Sequence, residues 1–272
     1  MEEDRLDSVL VPLGLFVFGI YHVWLLVTIL HNPRRTVIGL NAESRHQWVF
    51  SMMTTGDVLN ANVKLMSKDP MKNGVLAIQT IRNNIMASTL LATTALTLSS
   101  LIGVFVSSTG NSSDTPSQII YGNKSPVLLS VKYFSILLCF LVAFLCYVQS
   151  IRYFAHVSFL VTVPPSKGKN DPIEYVARNL NRASLFWSLG LRAFYLSFPL
   201  FLWIFGPIPM FLCSLIMSFI LYFLDTTTSF TRQLHSDSIK EDARTCDVES
   251  VGQSLENNQS EDFQRHTPLL NG

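Results

Sequence analysis

Charge is scarce in this chain. Only 14% of its 272 residues are Asp, Glu, Lys or Arg, against about a quarter in soluble domains, while 49% are hydrophobic and the mean hydropathy is +0.32. That balance excludes an ordinary water-soluble globule. Clustered ligands are missing too. The six histidines, His22, His31, His46, His156, His235 and His266, never fall three or four apart, so there is no histidine box. Walker-type Gly-x-x-x-x-Gly-Lys-Ser/Thr, His-Glu-x-x-His and Gly-x-Ser-x-Gly are absent, which removes phosphate-cradle, zincin and nucleophile-elbow chemistry. Cys139, Cys146, Cys213 and Cys246 form no Cys-x-x-Cys pair and promise neither a metal site nor a disulfide framework. Cys139 and Cys146, seven apart on one helix face, read as small apolar packing. No basic face carries interleaved aromatic residues, so nucleic acid is excluded as a partner. The expectation is a protein without cofactor or metal, and not an enzyme, with a lipid-modifying enzyme of dispersed site as the weaker alternative.

What the chain does have is apolar length. Residues 9 to 30, 85 to 107, 133 to 149 and 184 to 224 are each long enough to cross a bilayer. The last is too long for one straight crossing: 41 residues as a helix would measure about 60 Å, twice the hydrocarbon thickness. Gly206-Pro207-Ile208-Pro209 interrupts it and predicts a tight hairpin of two spans; the alternative is one kinked span. The fold class is therefore all-α, a multi-pass transmembrane helical bundle of about five spans with helices extending into the cytoplasm. The spans lie near 9–30, 85–107, 130–149, 186–205 and 208–224, within a membrane domain of residues 1–224.

Charges between the spans give them direction. The acidic start before Val9 reads as an uncleaved first span, and Arg34 and Arg35 after it place its C-terminal end in the cytoplasm. Arg34, Arg35, Arg45, Lys64, Lys68, Lys72 and Arg82 mark a cytoplasmic loop. Within it Trp48, Val49, Met52, Leu59, Val63 and Met66 recur at helical steps, predicting an amphipathic helix from about Asn41 to Met66 that buries its stripe against headgroups or neighbouring helices. Asp69-Pro70 reads as the cap and first position of a helix running unbroken into the second span. Ser108 to Pro126 belongs outside, with glycosylation patterns at Asn111 and Asn123. The third helix is expected to run to about Val163, where Pro164 and Pro165 end it, and Asp171-Pro172-Ile173-Glu174 is a strong start for the fourth. Residues 225–272 hold nine acids against four basic residues; this tail is expected to be disordered and cytoplasmic.

Polar residues at membrane depth are costly and mark where function would sit. His22, in the first span beside Tyr21 and Trp24, reads either as a sensing imidazole or as a neutral ring bonded to a neighbouring helix. Lys132 and Arg192 lie near span ends and can snorkel. Arg82, Asn83 and Asn84 at one helix entrance, with Asn179, Asn181 and Arg182 at another, could line one cytoplasmic vestibule or serve as ordinary interface residues. The second span is rich in Ser and Thr, and Ala95, Ser99 and Gly103 fall four apart. That face reads as close helix packing in preference to a hydroxyl-lined path.

At Arg82-Asn-Asn-Ile-Met-Ala-Ser-Thr-Leu-Leu-Ala, Lys132-Tyr-Phe-Ser-Ile-Leu-Leu-Cys-Phe-Leu-Val-Ala-Phe, Gln149-Ser-Ile-Arg-Tyr-Phe and Gly190-Leu-Arg-Ala-Phe-Tyr the chain resembles plant members of the family catalogued as domain of unknown function 599. The resemblance covers roughly residues 5 to 230. It implies a multi-pass membrane protein and supplies no catalytic residues. Two functions follow as expectations. One is a bundle that moves or gates a small solute or ion, alone or as a subunit, in the plasma membrane or an endomembrane. The other is a scaffold presenting the amphipathic helix and acidic tail to cytosolic partners. The lipid bilayer is the certain partner; a second copy or another membrane protein is the further candidate.

Overall fold

A computed structural model describes residues 2–53, 70–109, 126–163, 171–227 and 233. Six helices account for almost all of them, with no β-strand among the described residues: α1 (Glu2–His31), α2 (Val37–Met53), α3 (Pro70–Thr109), α4 (Pro126–Leu160), α5 (Asp171–Leu202) and α6 (Pro207–Asp225). All but α2 are long and apolar enough to cross a bilayer. The chain is thus an all-α integral membrane protein, and residues 186 to 224 are two helices joined by a turn at Trp203 to Gly206, as the Gly-Pro pattern predicts. The unit ends at Asp225, and residues from Thr226 onward group separately. Asp225, expected as the first residue of a disordered tail, is instead the last residue of α6; apart from residues 226, 227 and 233 the rest of that tail, like Asn111 and Asn123, lies outside the described residues.

Contact follows the order α3, α4, α5, α6, α1, with α2 laid across α5 at one end. Clusters at the two ends fix the antiparallel sense. Val49 and Met53 of α2 meet Ile81, Phe154, Val157, Val176 and Leu180 at one end, and Val11, Ile102, Ile136, Leu200, Trp203 and Met210 meet at the other. The first is called the basic end below, since Arg34, Arg35 and Arg45 lie there.

Each junction has a local cause. Pro33 lacks an N–H and cannot continue α1, so the chain makes a 3-10 turn over Pro33–Arg35. Thr36 then caps α2: its Oγ1 accepts from the Gly39 N–H at 3.2 Å while Leu40 N–H donates to its carbonyl at 3.0 Å. Gly39 is needed because a Cβ there would lie 2.1 Å from the Pro33 carbonyl oxygen. Pro70 opens α3 and Asp171 opens α5, as their cap patterns predict.

Along α4 the buried positions Lys132, Ile136, Phe140, Ala143, Tyr147, Ser150, Phe154 and Val157 recur at three and four, a seam that faces α3 on one flank and α5 on the other. Ala92 and Ala95 of α3 pack with Ala143 and Tyr147, the close approach small residues permit. The Tyr147 ring lies over Gly190, its atoms 2.7 to 3.0 Å from where a Cβ on Gly190 would sit.

Three expectations are corrected. The small-residue face of α3 stops short of Gly103, where an added Cβ would meet nothing within 4 Å. The amphipathic helix begins at Val37 rather than near Asn41, and its Val49 and Met53 pack on α3, α4 and α5; its predicted continuation to Met66 lies outside the described residues. α4 ends at Leu160, ahead of the prolines, because a turn takes residues 161 to 163.

Candidate functional site

Two polar features lie inside the bundle, and α5 connects them. Asn181, Ser184, Ser188, Arg192 and Tyr195 fall on one stripe of that helix at steps of three and four. A straight helix of α5's length spans about 48 Å, so its first turns overhang a hydrocarbon layer of about 30 Å and the stripe runs from the basic end into membrane depth.

The upper part of the stripe opens into a cavity of about 240 Å³ bounded by α2, α3, α4 and α5. Asn41 and Arg45 come from α2, Asn84 from α3, and Ser184 and Ser188 from α5; Ile38, Ala87, Phe154 and Trp187 supply an apolar wall. Arg45 is held by one described hydrogen bond, its Nε donating to Asn181 Oδ1 at 2.9 Å. The Asn181 amide in turn donates to the Ala42 carbonyl at 3.2 Å, which locks α2 to α5 at this point. Burial pushes the Arg45 guanidinium below its ordinary range, since removing a charge from water favours the neutral form.

Lower on the stripe, Arg192 Nη2 donates to Asp225 Oδ2 at 2.7 Å, and both side chains are 14% exposed. The Tyr21 hydroxyl donates to the same carboxylate oxygen, so the three groups join α1, α5 and α6. Arg192 lies ten residues, about 15 Å, inside the Leu202 end of α5. Its second terminal nitrogen, Nη1, is buried with no partner among the described residues. Beside this group, His22 Nδ1 bonds to the Phe18 carbonyl at 2.8 Å and its ring lies against Phe18 and Tyr21.

The predicted site residues therefore divide. Asn84 lines the cavity with Arg45, while Asn181 stands outside the lining and is tied to it through its bond to Arg45. Arg82 and Asn83 stand apart: both are exposed, and Arg82 donates to Gln79 one turn back on its own helix at 2.9 Å. Asn179 is buried and satisfies its own helix, at Tyr175. His22 bonds within its own helix rather than to a neighbour. Neither basic residue snorkels. Arg192 is paired with Asp225, and Lys132 is 1% exposed with its ammonium 5.4 Å from the Trp203 ring centre, because the turn after α5 and the start of α1 fold over it; Trp203 Nε1 there donates to Asp7 at 3.3 Å. The hydroxyls of Thr89, Thr93, Thr94, Thr97 and Ser100 donate to carbonyls three or four residues back in α3, and most of these residues face outward. They belong to the lipid-facing surface.

Tyr21, Arg45, Ser184, Ser188 and Asp225 are functional candidates that sequence reasoning passed over. The α5 stripe had a signal, the period of its polar residues within an apolar run. Asp225, the first acid after Arg192, was grouped with the acidic tail.

A family model described as protein of unknown function, DUF599, matches residues 9–230. No curated protein and no solved structure matches the chain.

Proposed function

The chain belongs to the DUF599 family of proteins of unknown function, and from that membership and the geometry above we propose that it is a non-enzymatic membrane bundle that binds a small solute at the basic end and passes it along α5. The observation that carries this reading is the polar stripe of Asn181, Ser184, Ser188 and Arg192, continuous from the cavity to the Arg192–Asp225 pair. Lipid has no use for such a stripe, and ionisable groups at membrane depth mark substrate or ion pathways. The excess of Arg at the basic end supports a cytoplasmic position for that end, in the plasma membrane or an endomembrane.

Joining α1, α5 and α6 through one carboxylate gives the bundle a polar contact that two arrangements of the helices would share or break. The scaffold reading has less support. Within the part of the amphipathic stripe that is described, Val49 lies in a core cluster with residues of α3, α4 and α5, and Trp48 packs against it.

Flux into proteoliposomes tests the proposal. Wild-type protein should admit at least one solute from a panel of small anions, cations and neutral molecules faster than protein-free vesicles do. Ser188→Trp, which fills the cavity, should abolish that flux while the protein remains folded. Equal flux with Ser188→Trp would remove the cavity from the path, and no flux for the whole panel would defeat the reading.

A further inference from the structure

The chemistry of the cavity wall points to the class of solute, an inference that rests on the solute-binding reading above. We propose that the cavity takes a small organic anion, with its carboxylate or phosphate oxygens held end-on by Arg45 and its apolar body against Trp187 and Phe154.

Four observations converge. The first is the charge of the lining: it contains the Arg45 guanidinium and no acid. Second, Glu43 of α2 and Glu174 of α5, described carboxylates at this end, are engaged with other basic groups. Glu43 accepts from Arg34 at 2.8 Å, and Glu174 from Arg178 at 2.7 Å and from His46. Arg45 has only the neutral Asn181 amide among the described residues. A half-buried cation without an anion is costly, and a bound carboxylate or phosphate would offset that cost.

Third, the geometry of the fork is suitable. Nε is used by Asn181, which fixes the guanidinium plane and leaves Nη1 and Nη2, the pair that can grip a carboxylate or phosphate with two parallel hydrogen bonds. Asn84 and Ser188 add donors to the same space. Fourth, Ile38, Ala87, Phe154 and Trp187 line the remainder, so a bare inorganic ion would leave half of the wall unmatched. The volume of about 240 Å³ suits a metabolite-sized molecule, below the range of about 300–1,000 Å³ of drug-sized sites.

Titration calorimetry on the full-length protein in phosphatidylcholine nanodiscs tests this with three probes of one shape: benzoate, benzamide and benzylamine. Benzoate should bind saturably and about tenfold or more tighter than the other two, the worth of a charge-assisted hydrogen bond. Arg45→Gln should lose that preference, and Arg45→Lys, which keeps the charge without the fork, should fall between. Asn84→Ala leaves the Arg45–Asn181 link intact and should weaken benzoate by about threefold, which keeps the test informative if Arg45→Gln misfolds.

If benzamide or benzylamine binds as well as benzoate, or Arg45→Gln binds benzoate normally, the anion inference is overturned while the cavity remains a solute site. If no probe binds, both fall. Adding phosphatidic acid to the discs separates the two sources of oxyanion. Its displacement of benzoate in wild type but not in Arg45→Lys would keep the oxyanion site, assign it to a lipid headgroup and defeat the transported-solute reading.

Discussion

Replacing Asp225 with alanine strands the Arg192 guanidinium between α1, α5 and α6. Breaking one side of a buried ion pair costs about 3–5 kcal/mol. With each side chain 14% exposed, the low end applies, so Asp225→Ala should destabilise by about 3 kcal/mol. Arg192→Met should cost less, because the remaining carboxylate keeps the Tyr21 hydroxyl. The double variant Arg192→Met/Asp225→Ala removes both charges and should cost no more than Asp225→Ala alone, which with an Arg192→Met loss of about 2 kcal/mol gives a coupling of about 2 kcal/mol. An ordinary interhelical hydrogen bond in a membrane averages about 0.6 kcal/mol, so the two cases are separable. Thermal unfolding in detergent micelles should show Asp225→Ala melting about 6–12 °C below wild type, using about 2–4 °C per kcal/mol for a domain of this size. Additive single-variant losses, or an Asp225→Ala shift under about 1 °C, would refute the pair as the joint of the three helices.

Other sites give sharper steric predictions. Gly190→Ala places a Cβ 2.7 Å from the Tyr147 ring and should cost about 1–3 kcal/mol; adding Tyr147→Leu should relieve it, and failure of that rescue in the melting curve would deny the contact. Tyr147→Phe deletes a buried hydroxyl without a partner among the described residues and should leave stability unchanged or raise it by up to about 1 kcal/mol; a clear loss would mean the hydroxyl is bonded. Thr36→Ala removes the α2 cap and should cost about 1 kcal/mol. Gly39→Ala should be worse, since the conflict there is with the Pro33 backbone, and limited proteolysis at the α1–α2 corner would show it as faster cleavage.

Starts and stops of helices were legible where a residue's own backbone chemistry decides them. Pro70, Asp171-Pro172 and Gly206-Pro207 mark boundaries that the fold keeps, because capping and the missing proline N–H act locally. Partners were not legible. Periodicity says which residues share a face, but the facing helix depends on how all five spans pack. Arg192 and Asp225 are separated by 33 positions and meet only because α6 folds back on α5. Arg45 and Asn181 meet across 136 positions because α2 lies on α5. The Thr and Ser residues of α3 misled for the opposite reason: in a membrane helix a hydroxyl can satisfy itself on a carbonyl of the preceding turn, so its presence does not mark a polar path. Arg45, which shares a cavity with Asn84 and a hydrogen bond with Asn181, reads from sequence only as a marker of loop topology, because its partners lie on other helices.

The central claim is that the polar path from the cavity into membrane depth follows Ser184, Ser188 and Arg192 of α5 and not the hydroxyl-rich stretch of α3 from Thr89 to Ser100. Single cysteines at Ser188 and Thr97, in a background lacking Cys139, Cys146, Cys213 and Cys246, can be offered a charged, membrane-impermeant thiol reagent from each side of sealed proteoliposomes. The account predicts that Ser188→Cys reacts from the basic end, more slowly once a bound solute occupies the cavity, while Thr97→Cys, facing lipid, stays unmodified. Reaction at Thr97→Cys with Ser188→Cys silent from both sides would contradict it.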